Sequence, residues 1–194
     1  HTLPSQIKTV NILPGQLTIE TAFLEGCSTV DNINILSLVG EELISTPLEE
    51  NISAETISAL NISITTIKDS AFNGTGWMNA LDKDFILVLD GMLVDYKGAD
   101  SVLRLPTTVK TIGHGVFKDN QQIEIVYIPT SVVKIESLAF NGATNLVKTF
   151  LAHTTSPIPT VQNDSFTLDN GKEVFVNSGA HALFQAAENW SVYG

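Results

Sequence analysis

The chain is poor in several things, and each scarcity removes a class of protein. Its 194 residues include one cysteine, Cys27, so no internal disulfide and no multi-thiolate metal centre can form. Lysine and arginine total 10 against 21 acidic residues, for a net charge of −11. That is the wrong sign for gripping nucleic acid or an anionic lipid surface. Between Lys8 and Lys68 no basic residue occurs, while Glu20, Glu25, Asp31, Glu41, Glu42, Glu49, Glu50 and Glu55 all do. This reads first as a solvated acidic flank, with a surface for a basic partner as the alternative. No apolar run approaches the ~18 residues of a membrane span. Glycine-rich phosphate loops are absent, and His1, His114, His153 and His181 share no metal-ligand spacing. What the chain does have is 43% hydrophobic residues and a mean hydropathy of +0.18, enough for a substantial core and too apolar for disorder.

The apolar residues recur with a period near 23. Leu105-Pro106-Thr107-Thr108-Val109-Lys110-Thr111-Ile112 is followed one step later by Ile128-Pro129-Thr130-Ser131-Val132-Val133-Lys134-Ile135. Phe117 maps to Phe140 and Ile123 to Leu146 at the same step. Each unit carries apolar residues at relative positions 0, +3 and +5: Ile123, Val126 and Ile128, then Leu146, Thr149 and Leu151 with one lapse. Ile7, Val10 and Ile12, then Val30, Ile33 and Ile35, then Ile57, Leu60 and Ile62 extend it toward the N-terminus. A phenylalanine marks each turn (Phe23, Phe72, Phe117, Phe140 and Phe166), with Leu48 as the substitute in the unit that lacks one. Self-similarity at this period implies a solenoid of about eight coils, each a strand plus a short segment that buries its large side chain against neighbours.

Two stretches break the rhythm. Phe85–Leu89 and Met92–Tyr96 flank Asp90-Gly91 and predict a β-hairpin over about 85–96, closed by a type I′ turn. Ser156-Pro157-Ile158-Pro159 lengthens one unit by about three residues. From about 178 to 194 the pattern predicts a capping helix that buries Ala180, Leu183, Phe184, Ala187 and Trp190 on one face.

The units Leu105–Ile123 and Ile128–Leu146 resemble the BspA-type leucine-rich repeat, whose pattern runs Ile-Pro, Val-x-x-Ile, Ala-Phe and Leu-x-x-Val-x-Ile. Ala71-Phe72, Val116-Phe117 and Ala139-Phe140 match its Ala-Phe step. Many members carry Cys or Asn three residues after the phenylalanine; Asn120 fits, Ala143 does not, and Cys27 falls one place late after Phe23. The fold this implies is a single α/β solenoid domain over 1–194 with a parallel sheet on one face. The resemblance further implies a secreted or surface-attached, bacterial, non-enzymatic adhesion module without a cofactor. His1 then reads as the start of a mature or trimmed chain.

The chemistry-bearing residues point the same way. Cys27 reads as a small half-buried residue and His114 as a turn residue. Asp82, Asp84, Asp90, Asp95 and Asp100 crowd the hairpin without a calcium-loop spacing. The Asn-x-Ser/Thr triplets at Asn51, Asn61, Asn73, Asn163 and Asn189 read as incidental. Side-chain alternation offers a different candidate. If positions 0, +3 and +5 face inward, +4 and +2 face solvent. The +4 column reads Asn11, Asn34, Asn61, Val88 (if the hairpin joins the sheet), Arg104, Tyr127, Phe150 and Phe175; the +2 column includes Ile125, Lys148 and Glu173. Arg104, Tyr127, Phe150, Phe175, Ile125, Lys148, Asn34 and Asn61 are therefore the candidate ligand-binding residues. A protein partner is expected first; a glycan, or a spacer role presenting another domain, are the alternatives.

Overall fold

The computed structural model describes residues 6–13, 18–39, 42–48, 64–167 and 172–191. They fall into two compact units, His1–Val94 and Asp95–Gly194, each described by itself.

In the C-terminal unit the 23-residue period becomes coils. Strands β8 (Val102–Arg104), β10 (Ile125–Ile128), β12 (Lys148–Leu151) and β14 (Glu173–Val176) form one sheet in the order β14-β12-β10-β8. All neighbours are parallel, with Val126 opposite Thr149 and Ile128 opposite Leu151. Inward positions alternate with outward ones because a strand has period two. Ile123, Val126 and Ile128 accordingly sit at 0–1% exposure. After each proline turn a two-residue strand follows: β9 (Thr111–Ile112), β11 (Lys134–Ile135) and β13 (Thr160–Val161). They pair in parallel at steps of 23 and 26 residues, the longer step absorbing the Ser156–Pro159 stretch.

The phenylalanine turn is a ladder of its own. Gly115, Phe117 and Asp119 donate their N–H groups to the carbonyls of Ser137, Ala139 and Asn141 on the next coil. Two left-handed residues bracket the Phe117 and Phe140 turns, Gly115 and Asp119, then Leu138 and Gly142. Phe117, Phe140 and Phe166 stack beneath, with centroids 4.8 and 4.9 Å apart; Phe117 and Phe140 are fully buried.

The N-terminal unit begins with the same rule and departs from it. β1 (Thr9–Ile12) pairs in parallel with β3 (Asn32–Val39) at a step of 23. β3 then runs on past its repeat length and pairs antiparallel with β4 (Glu42–Pro47), from Asn34↔Pro47 to Val39↔Glu42. This hairpin was not expected from the periodicity. On the turn side, β2 (Thr18–Ile19) pairs directly with β5 (Thr66–Ile67), a step of 48. Among the described residues that ladder thus skips one level, and the solenoid has about six turns rather than eight. Residues Ile57, Leu60 and Ile62 lie outside the described residues.

That ladder also corrects the register of the first turn. Ala22, Leu24 and Gly26 donate to Asp69, Ala71 and Asn73, as Gly115, Phe117 and Asp119 do one coil apart. Left-handed Ala22 and Gly26 match Ser70 and Gly74. The residue equivalent to Phe72 is therefore Leu24, at 2% exposure, and Phe23 occupies the Ala71 position, 47% exposed. Counting from Leu24 puts Cys27 three residues on, in line with Asn120, so its apparent offset disappears. Leu48 is buried, but its N–H bonds Ile33 rather than extending the turn ladder.

β6 (Phe85–Val88) and β7 (Met92–Tyr96) are sheet neighbours, as the hairpin requires. The turn differs from type I′: positive φ falls at Leu89 and Gly91, not at Asp90, and the Gly91 N–H bonds the Leu89 carbonyl. β6 pairs with β7 and not with β8, so Val88 is no member of the exposed column. It and Ile86 are buried at 0% and 1% exposure. A one-turn helix, α1 (Gly76–Ala80), precedes the hairpin, capped by the Thr75 hydroxyl accepting from the Met78 N–H.

At the C-terminal end a 3₁₀ turn (Ser178–Ala180) leads into α2 (His181–Ala186). The helix is shorter than its pattern suggested. Leu183 is 37% exposed, and Ala187 is already extended. Trp190 lies beyond the helix, after left-handed Asn189. It folds back, and its indole N–H donates 2.6 Å to the Pro159 carbonyl.

Candidate binding face

In the C-terminal unit the outward column of the long sheet is one continuous row. Arg104 registers with Tyr127, Tyr127 with Phe150, and Phe150 with Phe175. Parallel strands in exact step bring like side chains within one inter-strand spacing. The rings stack accordingly, 4.7 Å and 4.6 Å between centroids and 10° and 13° between planes. The Arg104 guanidinium closes one end, 3.9 Å from the Tyr127 centroid; Phe175 closes the other, 38% exposed. In the neighbouring outward column Val102, Ile125, Lys148 and Glu173 register in turn. The Lys148 ammonium lies 6.0 Å from the Phe175 centroid, so it reaches along the rings as well as facing Glu173.

Beside the rings runs a shallow groove of about 510 Å³, its floor and far wall made by Leu105, Ile128, Pro129, Leu151, Ala152 and Asn177. These groove residues were missed by sequence reasoning. Their signal was available, since they stand one and two places after the outward column in successive repeats. Stacking fixes what this face presents. The ring faces are turned toward one another, so a ligand meets ring edges and aliphatic carbons, with Arg104 at one end and Lys148 and Glu173 beside the other.

The N-terminal candidates form a separate feature. Asn34 donates its amide to the Asn11 side-chain oxygen at 3.0 Å across the β1–β3 pair. Asn61 lies outside the described residues, so the amide ladder is described only as this pair. Beside it, Lys8 pairs with Asp31 at 3.1 Å and Lys68 with Glu20 at 2.6 Å; both bridges link coils, at steps of 23 and 48. The acidic flank is thus partly compensated by exposed pairs.

The remaining chemistry-bearing residues are dispersed. His153 is buried at 2% exposure with Nε2 2.9 Å from the Val132 carbonyl. Burial pulls its pKa below the usual value, outweighing the opposing hydrogen bonds to the backbone of Val132 and Thr130. Asp95 is pushed upward by burial, partly offset by the Tyr96 N–H and Lys97. The Tyr96 hydroxyl donates to Asp100. Cys27 is half-buried. Among the described residues no three His, Cys, Asp or Glu side chains converge as a metal set, and no helix is long and apolar enough to cross a membrane.

The parallel strands, proline turns and stacked phenylalanines define a leucine-rich-repeat solenoid. Residues 99–187 match the family model of the BspA type leucine-rich repeat region (6 copies). No curated protein and no solved structure matched the chain.

Proposed function

We propose that this chain is a non-enzymatic binding module of a secreted or cell-surface bacterial protein, engaging a protein partner on the exposed sheet face. The supporting observation is the unbroken Arg104-Tyr127-Phe150-Phe175 row with Ile125 and Lys148 alongside. A contiguous apolar and aromatic strip edged by charge is the composition of an interface core with a polar rim. Repeats of this type generally serve as interaction scaffolds and are typical of surface proteins, which favours adhesion as the role. A glycan fits this face less well. Sugars stack on open ring faces, and here Arg104 and the neighbouring rings cover both faces of Tyr127 and Phe150.

The test pairs two arrays, one of immobilised extracellular proteins and one of glycans, probed with the native chain and with Tyr127→Ala/Phe150→Ala. Protein hits that weaken by ~10-fold or more in the double variant, the loss expected for interface anchors, support the proposal. Hits on glycans alone would reassign the face to carbohydrate. Silence on both arrays from a correctly folded chain would leave a spacer role.

A further inference from the structure

The long sheet of the C-terminal unit stops at β14, which has β12 on one side and, among the described residues, no strand on the other. Three features of this edge differ from every interior strand. Val174 and Val176 occupy inward positions but are only half-buried, whereas Val126, Thr149, Ile128 and Leu151 at those positions are buried. The two valines line an open cavity of about 380 Å³, shared with His181, Phe184, Gln185 and Trp190. Phe175 has Phe150 against one face and, among the described residues, no ring against the other. A terminal strand also offers a row of backbone N–H and C=O groups.

We propose that this edge is a strand-addition site, taking one extended peptide segment in parallel with β14. The β12–β14 interface prescribes its occupant by continuity. Each strand places an aromatic ring on its neighbour's, so the incoming residue opposite Phe175 is aromatic. The residues opposite Val174 and Val176 fill the cavity and are small or apolar. Glu173 stands exposed opposite Lys148 on its inner side, so a basic residue fits on its outer side. The chain's own Lys148-Thr149-Phe150-Leu151 has this order. Main-chain hydrogen bonds then give affinity, and the alternate side chains give selectivity. The site shares Phe175 with the proposed binding face but uses its outer side and the β14 backbone, and it does not require the rest of that face to bind anything.

The test uses an acetylated, amidated peptide with the sequence of residues 146–152, titrated into the full chain. Trp190, at the cavity, reports by fluorescence in a Trp77→Phe background. Saturable one-to-one binding is expected. Since the Glu173 N–H points to β12 through the Val147 carbonyl, the corresponding peptide amides, those of Lys148 and Phe150, face β14. Methylating these two nitrogens should weaken binding by ~10-fold or more, about the effect of one or two lost hydrogen bonds. Methylating the Thr149 and Leu151 nitrogens should change it little. Phe175→Ala should weaken binding, and Tyr127→Ala should leave it intact, which separates this site from the row. Absence of saturation at millimolar peptide, or equal loss from both methylation patterns, would overturn strand addition. Concentration-dependent oligomers of the chain that saturating peptide does not dissolve, and that leave the peptide unbound, would also overturn it, giving the edge to a second copy.

Discussion

The two units handle one repeat differently. From Asp95 onward every level is present, and steps of 23 to 26 residues return the chain to the same point on each coil. Before Val94 the chain spends a hairpin, β3–β4, between two levels, and the turn ladder jumps 48 residues from Leu24 to the Phe72 coil. Charge follows the same division. The N-terminal unit has three lysines against twelve acids, the C-terminal unit seven basic residues against nine acids. A uniform step stacks like on like, so it can build an aromatic column outside the coil and another inside. The N-terminal unit keeps the ladder but places Asn11 on Asn34 and Leu24 at the Phe72 position. Ring stacking therefore needs both a regular step and an aromatic residue at the repeated position, and the two units can be set against each other to test what the rings add.

The largest difference is expected in the turn core. Phe140→Ala removes a fully buried ring between two others and should destabilise by ~3–5 kcal/mol. Leu24→Ala should cost ~2–5 kcal/mol, while Phe23→Ala, at an exposed turn position, should stay within ~0.5 kcal/mol. Urea unfolding of the three variants measures this. A costly Phe23→Ala beside a harmless Leu24→Ala would break the register drawn for the first turn.

Next comes the left-handed position that closes the Leu24 and Phe140 turns. Gly142→Ala combines φ +73° with a Cβ driven against the Asp119 carboxylate and should lower stability by ~1–2 kcal/mol or more. At Gly26 nothing lies within 4 Å of an added Cβ, so Gly26→Ala meets the backbone strain alone and should cost less. Thermal unfolding compares them.

On the exposed faces the expected effects are smaller. Tyr127→Ala should remove ~0.5–1.5 kcal/mol for each ring pair lost. Asn34→Ala should remove ~0.5–1.5 kcal/mol at most for its one bond to Asn11, less where solvent competes. Equal losses would mean that aromatic stacking adds nothing to the C-terminal sheet.

The smallest effect concerns pH. His153 has a lowered pKa in the folded state, so between that value and the unfolded value near 6.5 the unfolded chain binds more protons. Its contribution is intact above about pH 6.5 and is lost as pH falls through that window. Asp95, with its raised value, has the opposite sign: its contribution falls as pH rises above the unfolded value of 3.8. Melting profiles from pH 7 to 5 should therefore decline less steeply in His153→Gln than in the native chain. An unchanged slope would remove His153 as a source of acid sensitivity.

Much of this was legible in the amino-acid order. Period fixes register in a solenoid because every coil must present the same residue to the same neighbour. Parallel pairing, the buried Phe117–Phe140 stack and the Arg104-Tyr127-Phe150-Phe175 row followed from counting. The C-terminal half was readable because nothing there competes with the count. The misread positions lie where local pattern allowed two answers and a non-local contact chose. Phe23 and Leu24 are adjacent apolar residues, and only the bonds to Asp69, Ala71 and Asn73 decide which one enters the core. Val88 alternates as an outward residue would, but its strand found β7 as partner. Asn32–Val39 carries both a repeat and the first arm of a hairpin. Trp190 sits at helical spacing, but packing turned the chain before it arrived. A sequence of this kind determines periodicity and facing, which are properties of successive residues. Which strand lies beside which, and which groove and edge remain open, depends on contacts tens of residues apart, and only the tertiary structure decided those.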